Sequence, residues 1–180
     1  MLARRLVSCM IACAALWWLP PHANGARILP QSRRIGSHTA SPYKARSGSE
    51  TRQRNAVSEA VLRSLFAKYG PSHPAHQFFI QVRGRVTSDP SAGFMRRFEK
   101  NSPPVLPGSG VATGFQTRSR RTGKPGVLFW VGRITFEGDN RAQVECGYRA
   151  TGRDGASLSC TLERKDGRWL AKSLVVKTQS

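Results

Sequence analysis

From Gly126 onward the chain is strand-forming sequence cut at short intervals by turn residues, and this spacing limits the possible folds more than any other feature. Gly126–Phe136 (GVLFWVGRITF) is an apolar run that stops at Gly138-Asp139-Asn140. Residues 141–150 alternate apolar and polar up to Thr151-Gly152-Arg153-Asp154-Gly155, and Ser157–Arg164 alternates up to Lys165-Asp166-Gly167. Trp169–Lys177 follows as the last such run. Period-two alternation is the mark of a half-buried strand, and Asp-Gly is a strong hairpin signal. Connections this short join antiparallel neighbours, so the expectation is a four-stranded antiparallel meander. Gly132 inside the first strand predicts a bulge or bend.

Upstream the period changes. Val57, Val61, Leu62, Leu65, Phe66 and Tyr69 recur at three and four residues, which predicts a helix over 53–69, ended by Gly70-Pro71. Phe78, Ile80 and Val82 alternate in a strand over 77–84. Asp89-Pro90 reads as a cap and a first helical proline, opening a short second helix with Phe94, Met95 and Phe98 on its apolar side and Asn101-Ser102-Pro103-Pro104 at its end. A long connection, 105–124, leads to the strands. The predicted class is therefore α+β: helix–strand–helix followed by a four-stranded antiparallel meander, forming a bent, cone-like sheet.

The first 25 residues are of another kind. Arg4 and Arg5 precede the uncharged run Leu6–Leu19, which at about 1.5 Å per residue falls short of a bilayer core. Pro20-Pro21 ends it, and the small residues Ala23 and Gly25 follow. This is the layout of a signal peptide over 1–25, cut between Ala23 and Ala26, and it predicts a periplasmic or secreted protein. Cys9 and Cys13 leave with it. Residues 26–52, rich in Ser, Gly, Pro and Arg, read as a flexible basic tail, and 53–180 as the folded domain. Two cysteines remain. Centring the hairpin turn on residue 153 sets Cys146 directly opposite Cys160, and an even pair in an exported chain predicts a disulfide between them.

Acid–base chemistry finds little purchase in the sequence. Asp89 caps a helix, Asp139, Asp154 and Asp166 fall in turns, and Glu59 lies on the outer face of the first helix. Glu145 and Glu163 alternate with apolar neighbours and so point away from the core. His73 and His76, in Pro-Ser-His-Pro-Ala-His, have no neighbouring Cys or carboxylate in the sequence to complete a metal shell. Nucleophile-elbow, Walker and dinucleotide motifs are absent, and no cofactor is expected. Charge is the remaining signal. The chain holds 29 Lys and Arg against 10 Asp and Glu, a net +19. Residues 26–125 carry eighteen basic against four acidic groups, net +14. Arg118, Arg120, Arg121 and Lys124 form its densest run and the candidate anion-binding site, suited to anionic envelope polymers or lipid headgroups. No aromatic-interleaved nucleic-acid motif accompanies the run.

Several local patterns are shared with known proteins. These are Asp89-Pro90-Ser91, Pro107-Gly108-Ser109, Gly126-Val127-Leu128, Val131-Gly132-Arg133-Ile134, Ala142-Gln143-Val144-Glu145 leading into Gly147-Tyr148, and Leu162–Trp169 (LERKDGRW). Over roughly 56–180 the chain resembles small secreted bacterial proteins of unestablished function. Those are in turn similar to the cone-shaped α+β superfamily of nuclear transport factor two and the ketosteroid isomerases. The resemblance implies a cone-like fold and leaves function open, since that superfamily includes enzymes, ligand binders and dimerising modules. The expectation is an exported, non-enzymatic binding domain. The alternatives are an isomerase- or dehydratase-like enzyme using a cone cavity, and a structural or dimerising module.

Overall fold

The structure is a computed structural model that describes residues 42–73, 75–83 and 87–179. The expected signal peptide, and the expected tail as far as residue 41, lie outside the described residues.

Helix α1 runs Pro42–Tyr69, eleven residues longer at its start than the apolar period predicts, so the last part of the expected tail is helical. Extending an existing helix fixes few dihedrals per hydrogen bond gained, which lets a polar segment follow once Val57–Phe66 is docked. Glu50 adds an (i, i+4) pair with Arg54 at 3.0 Å. Val57, Val61, Leu62, Leu65 and Phe66 are all buried, and they lay the C-terminal half of α1 onto a sheet.

That sheet overturns the expected architecture. Its strands are β1 (Phe78–Arg83), β2 (Thr87–Ser88), β3 (Val105–Pro107), β6 (Val127–Phe136), β7 (Arg141–Arg149), β8 (Gly155–Lys165) and β9 (Arg168–Gln179). A separate short ladder pairs β4 (Val111–Ala112) with β5 (Arg118–Ser119). The order across the main sheet is β2-β1-β6-β7-β8-β9, with β3 also paired to β1. β1 is parallel to both β6 (Phe78↔Val127 through Val82↔Val131) and β3 (Phe78↔Val105 through Ile80↔Pro107). The molecule is mostly sheet, with one long helix over a six-stranded mixed path, rather than helix–strand–helix plus a four-stranded antiparallel meander.

The second expected helix shrinks to one turn, α2 (Ala92–Met95), followed by a 3-10 turn over Arg96–Phe98. Ser91, not Asp89, caps it by accepting from the Phe94 amide, while Asp89 Oδ1 takes the Ser109 amide at 2.8 Å.

The parallel insertion also explains the unbroken apolar run of β6. Val127 and Phe129 face α1 in the main core, while Leu128 and Phe79 point to the other face and meet Val111 and Leu106. Strands covered on both faces need apolar residues at successive positions. Gly126 opens the run where a Cβ would stand 2.6 Å from the Gln77 carbonyl oxygen, so only glycine admits β1 this closely. The bulge predicted at Gly132 falls between Val131 and Ile134.

Between α1 and the sheet, where a cone would be hollow, side chains fill the space. Phe66 meets Phe78, Phe129 and Phe98 at ring separations of 4.9, 5.0 and 5.8 Å, with Leu65, Leu158 and Leu162 beside them.

One register differs from expectation. The Asp154 carbonyl accepts the amides of Ala150 (2.8 Å) and Thr151 (3.1 Å), so the β7–β8 turn closes one residue earlier and Gly155 already belongs to β8. Val144 then opposes Cys160, and Cys146 opposes Leu158. The two cysteines are buried diagonal neighbours on the core face, and direct opposition no longer argues for a bridge. At the next turn, Asp166 (φ 50°) and Gly167 (φ 76°) form a two-residue loop without a bulge. Leu162 therefore faces Ala171, and Leu170 opposes Glu163 and is exposed.

Candidate functional site

All four residues of the basic run fall on one ordered hairpin. Val111 of β4 is buried against Phe79 and Leu128, which seats the hairpin on the sheet face opposite α1. β5 returns antiparallel to it, with Ala112 opposite Arg118 and Val111 opposite Ser119. Ser119 organises the turn that follows. Its amide donates to the Lys124 carbonyl at 2.9 Å, and its own carbonyl accepts the Gly123 amide at 2.9 Å. Its buried hydroxyl accepts the amides of Arg121 (3.3 Å) and Thr122 (3.2 Å). Gly123 takes φ +68°, a left-handed conformation that favours glycine and closes the loop.

The four cations divide into two kinds. Arg118 Nη1 donates to the Gly123 carbonyl at 3.1 Å and its Nη2 to the Gln116 carboxamide oxygen. Arg120 Nε donates to the Val111 carbonyl at 2.8 Å. Both guanidiniums therefore staple the hairpin, yet each keeps further N–H donors of its five. Arg121 and Lys124 are exposed and make no such staple among the described contacts. Among the described residues none of the four enters an ion pair, although five other Arg or Lys pairs form elsewhere. This run of four cations without a carboxylate sits on a hydrogen-bonded turn, two of its guanidiniums held by the hairpin and two side chains reaching into solvent.

A second cluster escaped the sequence. His73 Nδ1 lies 2.7 Å from the Tyr69 carbonyl and Nε2 lies 2.7 Å from Asp154 Oδ2. Tyr148 donates to Asp154 Oδ1 at 3.4 Å and stacks on Tyr69 with ring centroids 4.5 Å apart. Burial, then the Asp154 charge, pushes the Tyr148 hydroxyl above its ordinary value, so it stays a donor. The carboxylate that His73 lacks in local sequence thus arrives from a turn 81 positions away. A cleft of about 280 Å³ opens beside the pair, lined by His73, Gln116, Thr117, Ala150, Thr151 and Asp154.

Each ring nitrogen of His73 lies within hydrogen-bond distance of an oxygen of the fold, one on α1 and one on the β7–β8 turn. The ring thus ties the end of α1 to that turn. Glu145 is exposed, as its alternation predicts, and Glu163 pairs with Lys172 at 3.3 Å. Among the described residues no three His, Cys, Asp or Glu side chains are grouped to hold a metal ion.

No protein-family model matches the chain, and no curated protein or solved structure matches it either. The functional reading therefore rests on the geometry of the basic hairpin.

Proposed function

We propose that this protein is an exported, non-enzymatic binding domain that engages anionic envelope polymers through the Arg118–Lys124 turn. The observation that carries the reading is the ordered, carboxylate-free cation cluster: Ser119 fixes the turn, Arg118 and Arg120 brace it, and Arg121 and Lys124 extend from it. Rigid presentation matters because less ordering entropy is lost when a multivalent anion binds. Export is supported by the Arg4-Arg5 and Leu6–Leu19 pattern.

The structure refines the test. Replacing Arg118 or Arg120 would loosen the hairpin as well as remove charge, whereas Arg121→Ala with Lys124→Ala leaves the staples in place. On a heparin column the double variant should elute at lower salt. The slope of log affinity against log salt should fall by about two, if the coefficient for nucleic acid transfers. Lys165→Ala with Arg168→Ala, removing equal charge from the β8–β9 turn, should shift elution much less. Unchanged elution of the Arg121/Lys124 variant, or equal shifts for both variants, would overturn the reading.

A further inference from the structure

We propose that the surface bearing the basic hairpin docks on an anionic lipid bilayer, with Phe115 as the side chain that enters the lipid. The inference rests on the reading of that hairpin as an anion-binding site and names its partner.

Phe115 is 79% exposed, against 45%, 56% and 47% for Leu170, Val175 and Val176, the other large exposed apolar residues among those described. A single exposed apolar residue is ordinary on a protein surface, so its setting decides the matter. It stands in the loop joining β4 to β5, beside Gly114, around which a Cβ would meet nothing within 4 Å. The backbone of this loop is nevertheless pinned at Phe115 and at the two residues that follow it. Its carbonyl accepts the Gly152 amide at 3.0 Å, and Gln116 is bridged to Thr151. The buried Thr117 donates its amide to the Ala150 carbonyl at 2.9 Å and its hydroxyl to the Arg149 carbonyl at 3.1 Å. A rigid backbone thus holds an aromatic ring out into solvent.

Cations stand in the segments bonded to that loop. Gln116, next in sequence, accepts from Arg118, whose guanidinium also reaches the Gly123 carbonyl and so links the Phe115 loop to the turn of Arg120, Arg121 and Lys124. Across the Gly152 contact stands the exposed Arg153, its amide held by the Thr151 hydroxyl at 3.1 Å. Asp154, the neighbouring carboxylate, already binds His73 and Tyr148.

A dissolved polyanion would satisfy the cations and leave Phe115 in water. An anionic bilayer satisfies both, because headgroup charge lies directly above an apolar layer that a side chain can enter by 5–10 Å or so.

The experiment uses protein carrying the N-terminus it has when isolated from cells, so that any difference between variants belongs to the loop. Vesicles of phosphatidylglycerol in phosphatidylcholine, and vesicles of phosphatidylcholine alone, are sedimented with each variant, and heparin elution is measured in parallel. The natural sequence should bind the phosphatidylglycerol vesicles and not the neutral ones. Phe115→Ala should weaken that binding about tenfold while heparin elution stays in place. Phe115→Trp should restore it and give a blue-shifted emission on vesicle addition that the natural sequence lacks. Arg121→Ala with Lys124→Ala should weaken binding to the phosphatidylglycerol vesicles and elute from heparin at lower salt.

If Phe115→Ala binds vesicles as the natural sequence does while the Arg121/Lys124 variant does not, the lipid inference falls and the anion reading stands. If heparin and vesicles are both ignored by the natural sequence, both fall.

Discussion

Cys146 and Cys160 show how much chemistry hangs on where one turn closes. Moving the hairpin centre by a single residue takes the pair from direct opposition to a diagonal, where Cα separations run near the ~7 Å limit for a bridge. Both thiols are fully buried. Burial, reinforced by the neighbouring Cys160, pushes Cys146 up to about 12, and burial pushes Cys160 up to about 11. At pH 8 the thiolate, the reactive species, is then about one part in a thousand or less. Iodoacetamide should leave both residues unmodified in the folded protein and modify both in urea, as read by peptide mass. If neither reacts in urea until a reductant is added, the two are bridged in the cell. Gly147 carries the same lesson. It stands opposite Trp130, whose indole would lie 2.5 Å from a Cβ there, so the strand keeps a glycine to make room for a ring.

Among the elements, α1 is held to the α2 segment by a network the sequence does not announce. Glu59 accepts from Arg63 one turn later at 2.9 Å and from Arg97 at 2.8 Å, while Arg63 also donates to the Arg97 carbonyl at 2.9 Å. Burial by itself would raise the Glu59 carboxyl, but the hydrogen bonds from Arg97 and Arg63 together outweigh it and hold the group below its ordinary 4.5. A carboxylate depressed in the folded state contributes stability above its unfolded value and loses it as pH falls through the folded one. Glu59→Gln should therefore cost about 1 kcal/mol in urea unfolding at pH 7. The two stability curves should converge as the pH is lowered beneath 4.5. A constant gap across that range would mean Glu59 acts through packing instead. At the other end of the sheet, β9 exposes Val175 and Val176 on its edge, and Lys172 and Lys177 on the same strand oppose pairing with a second copy.

For the whole molecule, the charge and the fold divide the labour. The helix and the inner sheet face bury the aromatic cluster, and the opposite face carries the hairpin whose cations are unpaired among the described residues. On the proposed reading, export would set which anions such a surface meets. Protein isolated from a cell envelope or culture fluid should begin between Asn24 and Ala26, as N-terminal sequencing would read it. An intact Met1 on protein recovered from the cytoplasm would sink the export reading and with it the envelope polymers as partner.

What the sequence determined by itself is local. The apolar face Val57–Phe66, the Asp166-Gly167 loop, the bulge at Gly132 and the cation run 118–124 are all written within a few residues, because each follows from side-chain period or from one residue's φ preference. The tertiary structure alone decided the parallel placement of β1 beside β6, since more than forty residues separate the partners and no turn chemistry encodes a crossover of that length. It also decided the His73–Asp154 tie, the exact company of Phe115, and the cysteine register. These depend on which distant segments pack together, and that choice is made by burying Phe66, Phe78 and Phe129 in one core rather than by any stretch of sequence read alone.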